Sequence, residues 1–490
     1  MSDPQQPIFT DLRQLGRVHL LGMAGVGVSG IARILAARGV PVSGTDGKDL
    51  PVLEEFRSAG VPVRVGYRAE NLASVEEALG GRLHTVIASS IASGGNPEYE
   101  EARRRGLRVL HRSEGLAAAM AGTRGIAVAG THGKTTTSSM TTVLLDRAGK
   151  RPSFAVGATV AGLGVNAAAG EGEWFVAEAD ESDGSLLNYT PEVAVVTNVE
   201  ADHLDHHGTA EAVHQVFADF TERIADGGAL ILCLDDQGAA SLLRRVAPAL
   251  AARDISIVTY GFSEEADLQI AHQVESTGHP GPSDQLLSVT DRRAGEGQPV
   301  PLRLGAPGRH NALNALAAVA VGRHTGLNLQ DCVTALEHFQ GAARRFELKG
   351  EAGGVKVYDD YAHHPTEVAA VLDAARSVAG DGAVRAVFQP HLFSRTRLFA
   401  GEFAEALAAA DDVALLDIYP AREEPLPGVT SGLIAEPLFS GARAPSGGLR
   451  TEEEAIHQMA ASSGHGDIIL TLGAGDVTAL GPRILEVLSE

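Results

Sequence analysis

Thiols are nearly absent from this sequence: cysteine occurs only at positions 233 and 332 of 490 residues. Two cysteines exclude a disulfide framework and a cysteine zinc cluster, and they fit a reducing cytoplasm, where the chain is expected to work. Long apolar runs are missing too. Nothing approaches the roughly 18 residues of a membrane span, and the opening Met1–Ser2–Asp3–Pro4–Gln5–Gln6 lacks the basic and apolar segments of a signal peptide. No membrane partner is therefore expected. Positive charge is in short supply. Lysine and arginine number 40 against 62 acidic residues, for a formal net charge of −22. Such a chain repels the phosphate backbone, so no nucleic-acid partner is expected. Lysine stands only at 48, 134, 150, 349 and 356, so a lysine inside a glycine loop is unlikely to be an accident of composition.

What is present is an ample supply of core. Hydrophobic residues make up 44% of the chain, and its length suits about three domains. Short apolar strands alternate with helical stretches, and polar residues gather where strands end. This is the pattern of α/β sheets, whose ligand crevice lies at the carboxyl ends of the strands.

The most telling stretch runs from Gly125 to Leu145. Gly125–Ala129 reads as a buried strand, Gly130–Thr131–His132–Gly133 as a turn and Thr135 onward as a helix. Strand, glycine turn, Gly-Lys-Thr and helix form the phosphate cradle of nucleoside-triphosphate enzymes. Backbone amides and the helix N-terminus face the phosphates, Lys134 reaches the outer ones, and the Thr135 hydroxyl can bind Mg²⁺, with Thr136 following. The common pattern has a further glycine where this chain has Val128, so the loop is a shortened variant. The alternative is an ordinary strand-to-helix turn.

Earlier in the chain, the strand Arg17–Leu21 leads into Gly22, Gly25, Gly27 and Gly30, then a helix, then a second strand ending at Asp46. This fits a dinucleotide fingerprint. Its obvious ligand is NAD; the weaker reading is a different pyrophosphate compound, because the loop recognises the pyrophosphate and not the nicotinamide. The strand from His84 runs into Ser89 and Ser90, at the position where a crevice is expected.

Beyond the phosphate loop, Trp174–Ala177 ends in Glu178–Ala179–Asp180–Glu181–Ser182–Asp183, and Val193–Asn198 ends in Glu200–Ala201–Asp202–His203. Clustered carboxylates repel unless a cation or donors offset them. Two adjacent parallel strands would bring both clusters to the edge that carries the phosphate loop. Residues 268–304 read as an appended β-rich sheet. Gly308 then turns into a helix bearing His310, Asn311 and Asn314, which lie close enough around it to face one pocket; helix capping is the competing role. In the last third, the strand Val355–Asp360 ends in Tyr361–Ala362–His363–His364. Another strand, Ala383–Phe388, ends in Gln389–Pro390–His391–Leu392–Phe393–Ser394–Arg395–Thr396–Arg397.

Together these motifs resemble the Mur ligases of peptidoglycan synthesis. The resemblance rests on Gly22–Gly30, Gly130–Thr136, Glu178–Asp183, Asn198–His203, His310–Ala315, Arg344–Glu347, Asp359–Glu367 and Gln389–Thr396, in family order along nearly the whole chain. It implies three α/β domains. Residues 1–121 would form a Rossmann-like domain for a UDP-sugar, 122–339 a central P-loop ATPase domain with an appended β-region, and 340–490 a Rossmann-like ligase domain.

The resemblance also implies ATP and Mg²⁺ as cofactors, and moves the first glycine loop from NAD to the UDP pyrophosphate, with Gly22, Gly25, Gly27, Gly30, Asp46, Ser89 and Ser90 contacting that substrate. It implies that Gly130–Thr136 hold ATP, that Thr135, Glu178 and His203 hold magnesium, and that His310, Asn311 and Asn314 border the adenine. Asp360 would reach the ribose and Arg345 would meet ATP. Lys134, His363, His364, Arg395 and Arg397 would serve the reacting groups. The reaction implied is ligation of L-alanine to UDP-N-acetylmuramate, by a monomer or homodimer. Several family members are thought to use a carbamylated lysine after the magnesium histidine. No lysine lies between Lys150 and Lys349, as expected of the alanine-adding member.

Overall fold

The computed structural model describes residues 9–89, 95–272, 284–293, 296–421, 423–441 and 444–490. Ser90 and the stretch Gly278–Pro282 lie outside the described residues. Three sheets organise the chain.

The first sheet has five parallel strands, in the spatial order Val63–Val65, Val42–Asp46, Val18–Leu21, Thr85–Ala88 and Arg108–His111. Its central strands are buried throughout, as parallel strands covered on both faces must be. Strand order reverses between Val18–Leu21 and Thr85–Ala88. That reversal opens the crevice at their carboxyl ends, where Gly22–Gly25 and Ser89 sit. The helix Val26–Ala37 follows the glycine turn and buries Val28, Ile31, Ile34 and Leu35, a spacing that puts one helical face on the sheet.

The second sheet has ten strands. The phosphate-loop strand Arg124–Ala129 lies between Trp174–Glu178 on one side and Val193–Val196 on the other, all parallel. Val128 is level with Glu178, and Ala129 with Val196. The two acidic clusters thus flank the loop from opposite sides, because the loop's own strand separates the two they end. Short strands at Ser153–Ala155 and Ala167–Ala168 lie beyond Trp174–Glu178. At the other edge, Leu268–His272, Gln285–Asp291 and Glu296–Leu304 continue the same sheet instead of forming one of their own.

The third sheet runs Glu347–Ala352, Val355–Asp360, Ile468–Leu472, Val384–Phe388, Asp412–Leu415 and Ser446–Leu449. Only the first pair is antiparallel. Residues 361–364, 389–395 and 473–476 therefore leave the same end of neighbouring strands.

The chain divides into two compact units. One comprises residues 1–270, 289–300 and 314–338, and the other 271–288, 301–313 and 339–490. The division passes through the strands 268–304 and through the helix Arg309–His324.

Candidate functional site

In the first unit the phosphate loop is built by the strand on its flank. Gly130 has φ 137°, and a Cβ there would stand 1.9 Å from Thr197 Oγ1. Only glycine adopts that backbone readily and leaves that space. Thr197 Oγ1 donates to the carbonyl of His132 at 2.6 Å, Asn198 Nδ2 donates to the same carbonyl at 3.0 Å, and Asn198 Oδ1 accepts from the His132 amide at 2.8 Å. Thr131 Oγ1 accepts from the Glu200 amide at 2.9 Å. The loop is thus fixed through its own main chain, and Thr135 and Thr136 are buried in the first helical turn.

Lys134 is the helix's first residue. Its Nζ donates to the carbonyls of Gly130 at 2.7 Å and Thr131 at 3.2 Å, and lies 2.7 Å from Glu181 Oε2 and 2.9 Å from Oε1. Both side chains are nearly out of water, at 14% and 2% exposure. Burial opposes the lysine's charge, but Glu181, Asp180 and Glu178 together hold its pKa above the usual value. Burial pushes Glu181 up to about 7, against the pull of Lys134 and with the help of Asp180's negative charge. Asp180 resists the same burial, because Lys134 and the Ser182 amide hold it below the ordinary range.

Thr135 Oγ1 donates to Glu178 Oε1 at 3.1 Å, and Glu178 Oε2 accepts from the Gly157 amide at 2.8 Å. A hydroxyl and a carboxylate at this separation are hard oxygen donors beside a phosphate cradle, and they fit Mg²⁺, which takes few protein ligands and keeps its waters. His203, held in left-handed backbone at φ 54°, lies beside Glu181: its Nε2 is 3.7 Å from Glu181 Oε1 and 3.6 Å from Asp202 Oδ2. Asn314 Oδ1 accepts from Thr137 Oγ1 at 3.1 Å, placing it beside the loop's helix.

The other glycine turn sits in the same unit. Gly22 and Met23 donate to the carbonyl of Thr45 at 2.9 and 3.1 Å. Asp46 accepts from the amides of Ala24 at 2.9 Å and Lys48 at 3.1 Å. Its carboxylate therefore builds the loop. Gly25 caps the following helix with no side-chain bond, and Val26 is exposed at its start. Gly30 has a packing role, since a Cβ there would stand 2.8 Å from that of Ala167.

In the second unit, His310 is half-buried and pushed down to about 4 by desolvation, while Asn311 Nδ2 donates to the Pro307 carbonyl at 2.7 Å. That bond caps the preceding turn. Asp360 accepts from the amides of Phe346 and Ala362, each at 2.8 Å; burial pushes its carboxyl up to about 6, with the Arg345 charge opposing. The Arg345 guanidinium lies 5.2 Å from the Tyr361 ring centre. His363 Nδ1 donates to the Tyr361 carbonyl at 3.0 Å, which leaves the ring's lone pair on Nε2. His364 is buried at the N-cap of the helix Pro365–Ala379, 4.8 Å from the Phe399 ring. On the helix Phe393–Leu407, Arg395 is buried and Arg397 exposed. Two residues apart, they point to different faces.

The Mur ligase family, catalytic domain model matches residues 17–124, the Mur ligase middle domain model 128–322, and the Mur ligase, glutamate ligase domain model 344–475. The chain belongs to the Mur ligase family. Among curated Mur ligases, it is 54% identical to the UDP-N-acetylmuramate–L-alanine ligase of Paenarthrobacter aurescens, covering 97% of this chain and 98% of that protein. It is 55% identical to the enzyme of the same name from an Arthrobacter species, over 97% and 96% of the two chains. Among solved structures, the UDP-N-acetylmuramate-alanine ligase of Thermotoga maritima matches with a TM-score of 0.73 and 25% identity, over 96% of this chain and 98% of that one. A murein peptide ligase of Psychrobacter arcticus shares the fold, with a TM-score of 0.67, 24% identity and coverage of 97% and 99%.

Several residues that shape the site in this Mur ligase have no role assigned by a reading of its motifs, although Asn198 stands within one of them. Thr197 and Asn198 strap the phosphate loop, Gly157 backs the Thr135–Glu178 pair, and His207 Nε2 donates to the Glu181 carbonyl at 2.8 Å. Polar residues at the end of a strand next to the loop's strand are the signal that points to Thr197 and Asn198. Gly157 has none, because its role depends on a turn 21 residues from Glu178.

Proposed function

We propose that this chain is an ATP-dependent ligase that joins L-alanine to the lactyl carboxylate of UDP-N-acetylmuramate, releasing ADP and phosphate, in the cytoplasm. The observation that carries this reading is the phosphate loop: a buried lysine, and a hydroxyl–carboxylate pair beside it, in a chain whose curated relatives bear that activity's name. The lactyl carboxylate attacks the γ-phosphate to give an acyl phosphate and ADP. The amine of alanine then attacks the acyl carbon, and phosphate leaves the tetrahedral intermediate. Anion meets anion in the first step, so charge neutralisation and positioning do most of the work.

Gly130–Thr136 cradle the triphosphate, with Lys134 against its outer oxygens. Thr135 and Glu178, with His203 nearby, would hold magnesium, which when bound supplies positive charge to the phosphates. Asn314 borders the adenine with His310 and Asn311, Asp360 meets the ribose, and Arg345 meets ATP. Gly22, Gly25, Gly27 and Ser89 form the grip on the UDP-sugar, on a loop that Asp46 builds and Gly30 packs. Residues 1–121, 122–339 and 340–490 serve as the UDP-sugar, ATP and closing domains. For the proton of the alanine ammonium, His363 suits better than His364: its Nδ1 is committed to Tyr361, leaving Nε2 basic, whereas His364 is buried at a helix cap. In this reading Arg395 and Arg397 serve the reacting substrates from different faces of their helix.

The test is ADP release with UDP-N-acetylmuramate, with and without L-alanine. Release that ignores alanine overturns the proposal. A recycling ligase that adds an intact peptide is the second reading, since a murein peptide ligase shares the fold. Competition between alanine and tripeptide separates the two.

A further inference from the structure

Arg112 opens the helix Arg112–Ala119, just after the edge strand Arg108–His111 of the five-stranded sheet. Its side chain lies along the first turn of another helix, Val26–Ala37. A Cβ on Gly27 would stand 2.9 Å from Arg112 Cδ, 3.3 Å from Nη1 and 3.6 Å from Nε. The missing side chain at Gly27 is therefore what lets the guanidinium settle over the glycine loop. Arg112 is half-buried, and among the described residues it has no hydrogen-bonded or ion-paired side-chain partner. Its charge reaches Asp180 and Tyr189 on the neighbouring acidic loop. Asp180 does not take it up; the aspartate's Oδ1 accepts from the Ser182 amide at 3.1 Å instead.

An unpaired, partly desolvated guanidinium is costly unless an anion arrives. In a chain with a net charge of −22, leaving this arginine unpaired with Asp180 in reach of its charge is a specific arrangement. We infer that Arg112 binds the diphosphate of the UDP-sugar substrate, from its seat against Gly27 beside the glycine loop. This rests on the proposed reading of Gly22–Gly30 as the UDP-sugar loop. A planar fork of donors matches phosphate oxygens better than a lysine's point charge does. The lactyl carboxylate is the less suitable partner, since it must reach the phosphate loop around Lys134, whereas this guanidinium stands on Gly27.

The experiment measures binding of UDP-N-acetylmuramate to the full chain without ATP, and its displacement by UDP and by UMP, for the wild type and for Arg112→Gln, Arg112→Lys and Gly27→Ala. Loss of a charge-assisted hydrogen bond predicts that Arg112→Gln binds the sugar nucleotide about 10- to 100-fold more weakly. Its preference for UDP over UMP shrinks by a similar factor, while KM for ATP and the melting temperature stay as in the wild type. Arg112→Lys recovers part of the loss. Gly27→Ala keeps the charge but displaces it, and loses the same preference; it carries the test if the glutamine variant does not fold. Wild-type discrimination between UDP and UMP in both Arg112→Gln and Gly27→Ala overturns the inference. So does an equal loss for both nucleotides, which marks a purely structural arginine. A wild type that binds no UDP-N-acetylmuramate at all overturns instead the reading of the loop on which this rests.

Discussion

Replacing Glu181 by glutamine removes the buried carboxylate that faces Lys134 while keeping its shape. The consequence can be worked out from the direction of its pKa. Folded, Glu181 holds its proton to about pH 7, against 4.5 for an ordinary glutamate. Between those values the folded chain binds a proton that the unfolded chain does not. Stability therefore falls as pH rises from 4.5 towards 7, and the full penalty applies above 7. That proton difference is worth about 3 kcal/mol, and the group is fully enclosed, so solvent does not dilute it. For a domain of this size the effect on melting is roughly 5–10 °C. The ion pair to Lys134 forms only when Glu181 is ionised, and its pull is already contained in that raised pKa, so it adds no separate contribution. The assay compares melting temperature against pH from 4.5 to 8 for both proteins without nucleotide. The wild type should lose stability relative to Glu181→Gln as pH rises, with the difference levelling off above about pH 7. Parallel curves would refute the buried-carboxylate argument.

Other perturbations test the site piece by piece. Gly157→Ala places a methyl group 2.8 Å from Glu178 Oε2 and 3.0 Å from Thr135 Oγ1. It should shift the Mg²⁺ concentration needed for half-maximal ADP release upward by tenfold or so; an unmoved curve contradicts the pairing of those donors. Thr197→Val removes the 2.6 Å bond to the His132 carbonyl and should raise KM for ATP several-fold, corresponding to about 1 kcal/mol, without changing UDP-sugar binding. His310 is neutral down to about pH 4 when folded but gains its proton near 6.5 when unfolded. Acidification from 6.5 to 4 should therefore cost about 3 kcal/mol, and His310→Gln should flatten that part of the melting profile. His363→Gln should lower kcat by about 10²-fold or more at unchanged melting temperature, while His364→Ala should chiefly lower the melting temperature. Retention of full kcat by both across pH would remove these histidines from the chemistry.

Much of the site was written in short-range pattern. A strand, a glycine turn and a helix in sequence dictate Gly130–Lys134–Thr135, because such a loop is a local structure whose amides converge whatever surrounds it. The alternation of apolar strands and helices determined the α/β class, since a strand buried on both faces needs helices to cover it. The same pattern reading marked residues 268–304 as a β-region appended within the central domain, and those strands extend the central sheet; periodicity marks a strand but not its neighbour. Only tertiary structure decided which groups meet. Placing the phosphate-loop strand between the two acidic strands set Glu181 against Lys134, Glu178 against Thr135, and Thr197 and Asn198 under the loop. Arg112 came to rest over Gly27 through the packing of two helices 85 residues apart in the chain. Burial then set the charges, pushing Glu181 and Asp360 up and His310 down. Desolvation is a property of the whole surrounding volume, and no local stretch of sequence contains it.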